Sequence, residues 1–272
     1  MKKIIIAVLV LGILLSGMTF ADVKAKDGVY FSQATEFGKT GWKTQVIVEV
    51  KGGKIVKVNW NGVSNLPGAA DKKSWSMAGK YGMEKAAKQG PWHKQAAAAE
   101  AWLLKTQDVT FNKFDKDGKT DAISGATLAV NEFFTMVNQA LAGTAVPKGI
   151  YKTDGWYFVE QPAFDAKTGW KDSVLVTVVN GTVVDALWNG TNSDATKKSK
   201  LVEAIEGRYG MVAAAKNGEW NVQAAAVDAA IVKAQDPAKI AVKSDGTSDA
   251  ISGASLHVTA VGLAIEALKA AR

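Results

Sequence analysis

Two seven-residue segments carry the most suggestive chemistry in the chain: Asp121–Thr127 reads DAISGAT and Asp249–Ser255 reads DAISGAS. Their one difference exchanges a hydroxyl side chain for another, while the helical sequence around them diverges. An apolar periodic run follows each segment. This places the motif where a loop becomes a helix, with Thr127 in the first turn and Ser124 or Asp121 available as a cap. Unpaired backbone N–H groups and the positive end of a helix dipole attract phosphate at such a point. Gly125 with Ala126, and Gly253 with Ala254, let a bulky group approach the backbone, and Thr127 and Ser255 offer hydroxyl nucleophiles. An ordinary capped helix start with a Gly-Ala packing contact is the better explanation of a single copy. Recurrence with the hydroxyl kept favours the chemical reading.

Other chemistries find little support. With no cysteine in 272 residues there is no thiolate nucleophile, iron–sulfur ligand set or haem attachment motif. His93 and His257 do not correspond to each other in the repeat described below, which argues against a repeated metal site or a His-based triad. Asp115, Asp117 and Asp121 lack the glycine and late glutamate of a calcium loop, and Lys243 breaks the acidic set in the second copy. No glycine-rich dinucleotide fingerprint appears, so direct oxidation of NADH is not expected. The net charge of +7 comes from lysines scattered among acids, a solvated surface rather than a nucleic-acid face. Among nine tryptophans, Trp42, Trp60 and Trp92 recur as Trp170, Trp188 and Trp220. These, with Tyr81 and Tyr209, read as core residues, any of which could stack on a ligand.

The elements that must position the motif are themselves duplicated. At an offset of 128 residues Gly41-Trp42-Lys43 returns as Gly169-Trp170-Lys171, Trp60-Asn61-Gly62 as Trp188-Asn189-Gly190, Tyr81-Gly82-Met83 as Tyr209-Gly210-Met211, and Gln95–Ala98 as Gln223–Ala226. Asp117-Gly118 returns as Asp245-Gly246. Gly28-Val29-Tyr30 is matched to Gly149-Ile150-Tyr151 at a smaller offset. Alternation at Val46, Val48, Val50 and again at Val56, Val58, Trp60 predicts a hairpin turning at Gly52-Gly53, echoed around Asn180-Gly181. Lys72–Gln89 and Trp92–Lys105 predict two helices separated by Gly90-Pro91. A third helix follows each motif, with stripes Ala126, Val130, Phe133, Phe134, Val137, Leu141 and Ala254, Val258, Val261, Ile265, Leu268. The expected fold is α+β: two tandem homologous domains, 22–146 and 147–272, each an antiparallel sheet packed with helices.

Residues 1–21 read as a signal peptide: Lys2 and Lys3, an apolar run Ile4–Leu15, then small residues to Ala21. An extracytoplasmic location, periplasmic or secreted, follows. Met18 stands where a lipobox would need cysteine, so membrane association is expected only through partners.

The motifs resemble those of FMN-binding domains modified by a flavin transferase, as found in the sodium-pumping NADH:quinone oxidoreductase. That pattern is Asp, two variable residues, Ser or Thr, Gly, Ala, then Thr or Ser, and both copies match it. The two-domain plan resembles flavinylated lipoproteins of extracellular electron transfer, without their lipid-bearing cysteine. The resemblance implies that a transferase dependent on FAD and Mg²⁺ joins FMN through a phosphoester to Thr127 and Ser255, up to two per chain. Asp121 and Asp249 would assist recognition or bind metal during transfer. Ser124, Gly125, Ser252 and Gly253 would shape the phosphate pocket, with Ala126 and Ala254 beside it. The implied function is an electron relay from a membrane donor to an extracytoplasmic acceptor. The alternative is a protein that holds a sugar or free flavin noncovalently.

Overall fold

The computed structural model describes residues 23–83, 87–211 and 215–272; the expected signal segment lies outside them. Runs rich in β-branched residues form two antiparallel sheets. The first holds β1 (Gly28–Gln33), β2 (Trp42–Lys51) and β3 (Lys54–Ser64), and the second β4 (Gly155–Glu160), β5 (Trp170–Val179) and β6 (Thr182–Asn192), each in sequential order. The hairpins close where expected. Gly52 and Gly53 take φ of +60° and +71°, and Asn180 and Gly181 +50° and +73°, the left-handed pair that a two-residue turn demands. Both sheets keep one register, with Trp42 opposite Ser64 and Val46 opposite Trp60, then Trp170 opposite Asn192 and Val174 opposite Trp188.

The helices are α1 (Lys72–Met77), α2 (Trp92–Thr106) and α3 (Asn131–Ala142) in the first unit, and α4 (Lys200–Ile205), α5 (Trp220–Ala234) and α6 (Thr259–Leu268) in the second. α2 lies on β3, and α3 on β1 and β2, burying Val46, Val48, Trp60, Ala96, Leu103, Phe133 and Val137 in one core. The second core is built likewise around Val174, Val176, Trp188, Ala224, Val227 and Val261. No described helix is long and apolar enough to cross a membrane.

Three expectations need correction. The helix predicted over Lys72–Gln89 ends at Met77, because Gly79 turns left-handed at φ +71° and closes it with a hydrogen bond to Ser76. α3 and α6 begin at Asn131 and Thr259, so Ala126, Val130, Ala254 and Val258 are buried or half-buried ahead of the helices rather than within them. Gly28-Val29-Tyr30 matches Gly155-Trp156-Tyr157, not Gly149-Ile150-Tyr151. Gly28 lies opposite Val50 as Gly155 lies opposite Val178, and the Tyr30 and Tyr157 hydroxyls each donate to the carbonyl four residues back.

α2 and α5 each end in a glutamine that pins the hairpin. Gln107 accepts from Ile55 N at 2.7 Å and donates to Ile55 O at 3.0 Å; Gln235 does the same to Val183 at 2.9 Å on both sides. The two units meet through a buried polar contact, in which Gln45 donates to Asp185 at 2.9 Å and accepts from the Trp156 indole at 2.5 Å. Burial pushes the Asp185 carboxyl above the usual aspartate range, against the pull of Lys43, Gln33 and Gln45. The carboxyl of Asp228, enclosed near Asp185, is pushed further.

Replacing Gln107 by Ala leaves the Ile55 groups unsatisfied and should cost ~1–3 kcal/mol, read by urea denaturation together with faster exchange of the Ile55 amide. The two raised carboxyls hold protons in the folded state that the unfolded chain has released above the ordinary aspartate value of ~3.9, so stability should fall as pH rises from there through the raised folded values. Asp185→Asn with Asp228→Asn should flatten that fall in denaturation curves taken between about pH 4 and 8.

Candidate functional site

The motif is a tight loop anchored by its apolar members. Ile123 and Ala126 are buried, and Ala126 N donates to Ile123 O at 3.2 Å. Gly125 takes φ +89°, so a side chain there would be strained and would press on the Ala98 methyl at 3.2 Å; Gly253 repeats the backbone conformation at φ +88°, with Ala226 at an ordinary contact distance of 3.5 Å. Both glycines thus lie beside the small residues of α2 and α5. Asp121, Ser124 and Thr127 are exposed, as are Asp249, Ser252 and Ser255.

Neither hydroxyl lies in a helical turn. Thr127 and Ser255 each precede their helix by four residues, and the helix caps Val130 and Val258 make no side-chain bond. Their surroundings are set instead by a glutamine that sequence reasoning passed over. Gln95, with no exposed surface, accepts from Thr127 N at 2.8 Å, Thr127 Oγ1 at 3.1 Å and Leu128 N at 3.2 Å, while its amide nitrogen donates to Gly90 O at 2.8 Å. Gln223 repeats this with Ser255 N at 2.8 Å, Ser255 Oγ at 3.2 Å and Gly218 O at 3.0 Å. The repeated Gln-Ala-Ala-Ala string was the available signal.

Thr127, Ala126 and Asp121 line a groove of about 540 Å³ with Lys113, Phe114, Asp115 and Lys119. In the second unit Asp249 instead pairs with Lys243 at 2.5 Å.

Three residues before each glutamine, and therefore on the same helical face, stands a tryptophan of an aromatic box. Trp92 meets Trp60 at 5.3 Å and Tyr81 at 6.0 Å, and Tyr81 meets Trp42 at 5.8 Å. Trp220, Trp188, Tyr209 and Trp170 reproduce these separations at 5.1, 6.1 and 5.8 Å. A buried lysine faces each box. Lys72 Nζ lies 4.5 Å from the Trp92 ring and 5.1 Å from Tyr81, Lys200 Nζ 4.8 Å from Trp220 and 5.5 Å from Tyr209. Asn61 and Asn189 seat the helices that carry these lysines, each accepting from two backbone N–H groups at 2.8–3.0 Å. Burial lowers the Lys72 ammonium to about 8, with Glu132 opposing, and burial beside Asp172 and Glu219 pushes the Tyr209 phenol up to about 12. The second box opens as a cleft of about 270 Å³ whose rim includes Leu256, His257 and Thr259, next to Ser255.

Among solved structures the chain is similar to a protein from Clostridium thermocellum, known by NMR, at 45% identity over 44% of this chain and 95% of that one, TM-score 0.36. It is also similar to a protein from Clostridium perfringens, known by crystallography, at 24% identity over 45% of this chain and 89% of that one, TM-score 0.33. No curated protein matches. The model of the FMN-binding domain family matches residues 38–142, a span that holds the first hairpin, the aromatic box, Gln95 and the DAISGAT loop. Residues 38–142 thus form a domain similar to the FMN-binding domain family.

Proposed function

We propose that Thr127 and Ser255 each carry FMN as a phosphoester, with the isoalloxazine ring held at the neighbouring aromatic box, and that the protein relays electrons outside the cytoplasm. The observation that carries this is the double occurrence of one arrangement: an exposed hydroxyl on a buried glutamine, one helical turn from a box of four aromatic rings and a lysine.

The residues fit the group. The indole N–H groups of Trp60 and Trp188 are buried without a partner among the described residues, a cost that a ring carbonyl or nitrogen would offset. The second cleft is smaller than the ~300 Å³ at which ligand pockets usually begin, which suits a planar ring with its ribityl phosphate outside. Bound flavin would supply the capacity to take up and release electrons. The chain's part in attachment is nucleophilic: a hydroxyl oxygen attacks the FMN phosphorus of FAD, AMP leaves, and the hydroxyl proton is lost. A separate transferase with Mg²⁺ would perform this, with Asp121 assisting recognition or holding the metal beside Thr127. A membrane donor would then reduce the protein after export.

Protein coexpressed with a flavin transferase should fluoresce in a denaturing gel and gain the mass of two FMN groups less two waters. Thr127→Ala with Ser255→Ala should abolish both signals; fluorescence lost on denaturing the unsubstituted protein would support the noncovalent alternative instead. Gln95→Leu, close in volume, should cut loading at Thr127 several-fold while leaving Ser255 loaded, as peptide mapping would show.

A further inference from the structure

The two boxes share their rings and their lysine but not their charge. Lys200 Nζ donates to Asp172 Oδ1 at 2.8 Å, both side chains about nine-tenths buried, whereas the first unit has Thr44 at the place of Asp172. A second buried carboxylate, Glu219, caps α5 beside Trp220 and accepts from Trp220 N at 2.7 Å and Met211 N. Pro91 stands in its place in the first unit. The second box therefore holds one buried cation against two buried carboxylates; in the first, among the described residues, Lys72 makes no ion pair, and the buried carboxylate beside it, Asp71, accepts from Asn61 Nδ2 at 2.7 Å and Ser74 N at 3.1 Å where the second unit has Ser199. Glu132 acts on Lys72 from an exposed position and Lys197 lies 5.8 Å from the Trp170 ring, also exposed; solvent screens both.

On the reading that each box holds a flavin, we propose that the flavin of the first unit has the higher reduction potential, because Lys72 is balanced there by Asp71 alone among the described buried groups, where Asp172 and Glu219 outweigh Lys200 and make the second box negative. Reduction adds negative charge to the ring system, and inside a low-dielectric box a cation favours that charge while carboxylates oppose it. The shifts already described agree in sense. Lys72, near 8, is mostly protonated at neutral pH, and the Tyr209 phenol is held up in part by Asp172 and Glu219. In a chain with both flavins and electrons enough for one, the electrons would reside on the first unit. The arrangement gives the pair a direction, with the second unit donating and the first accepting.

Spectroelectrochemical titration of the Thr127→Ala and Ser255→Ala proteins isolates one flavin in each. The Thr127-linked flavin should show the more positive midpoint. Thr44→Asp or Lys72→Met should move it negative, and Asp172→Thr should move the Ser255-linked midpoint positive. Half-reduction of the doubly loaded protein with dithionite should bleach the Thr127-linked flavin first. Equal midpoints, or midpoints indifferent to all three substitutions, would overturn the proposal while leaving covalent flavin intact. Flavin-free protein gives an independent check: by side-chain NMR Lys72 should titrate near pH 8, and Thr44→Asp should raise that midpoint. A Lys72 midpoint unmoved by Thr44→Asp defeats the charge argument whether or not flavin is present. A bare polypeptide mass with normal Lys72 behaviour would instead remove the cofactor reading, and this inference with it.

Discussion

A single buried amide oxygen in each unit holds the site together. Gln95 Oε1 takes two backbone N–H groups and the Thr127 hydroxyl, while its nitrogen is spent on Gly90 just before α2. Each donor left unsatisfied in such a place would cost ~1–3 kcal/mol, so the loop has strong reason to keep this shape. The same side chain binds the loop carrying the hydroxyl to the helix carrying Trp92. The distance between the Thr127 hydroxyl and the aromatic box is therefore fixed by one residue, and Gln223 fixes it again for Ser255 and Trp220.

Around that constant join the two units have diverged in their charges, and the consequences reach beyond the boxes. In the first unit Glu100 accepts from Trp60 N at 2.6 Å and is neutralised by Lys73 at 2.7 Å. In the second, Asp228 accepts from Trp188 N at 3.0 Å, but Leu201 replaces the lysine. Asp228 thus has an enclosed carboxyl without a salt-bridge partner among the described residues, and with Asp185 it favours protonation at the contact between units. A buried carboxyl that keeps its proton can still accept from the tryptophan backbone, so the hydrogen bond survives the loss of the cation.

The parts of this structure most legible in the sequence were those with a short-range physical code. Glycine and asparagine at left-handed turns gave the hairpins, and the duplicated strings gave the equivalence of the units; alternation gave β2 and most of β3, but a bulge at Glu49/Val50 buries Ile55 and turns Val56 outward, against the expected stripe. Helix starts were misplaced because a buried apolar residue such as Val130 fits the stripe of a helix whether or not it lies inside one. The match for Tyr30 went astray because Gly149-Ile150-Tyr151 mimics the string that Gly155-Trp156-Tyr157 occupies in space. The lysines, the glutamines and the boxes were present as repeated letters. What sequence could not supply was their meeting, since Trp42, Tyr81 and Trp92 come from three separate elements and are joined only by packing.

With Thr127 and Ser255 ahead of their helices, the two loops offer a free anion little to hold it. Had Thr127 opened a helix, free N–H groups and the dipole would have formed an anion pocket. Instead the nearest N–H groups, those of Thr127 and Leu128, are consumed by Gln95, and Ser255 N by Gln223. Nearby cations are not a shared feature either: Lys113 and Lys119 line the Thr127 groove, where the second unit has Ala241 and Thr247 and commits Lys243 to Asp249. A free phosphate in the second unit would have to displace the glutamine or compete with a carboxylate. What both units do offer is an exposed hydroxyl at a fixed position, which is what a covalent ester needs and what a reversible anion site does not.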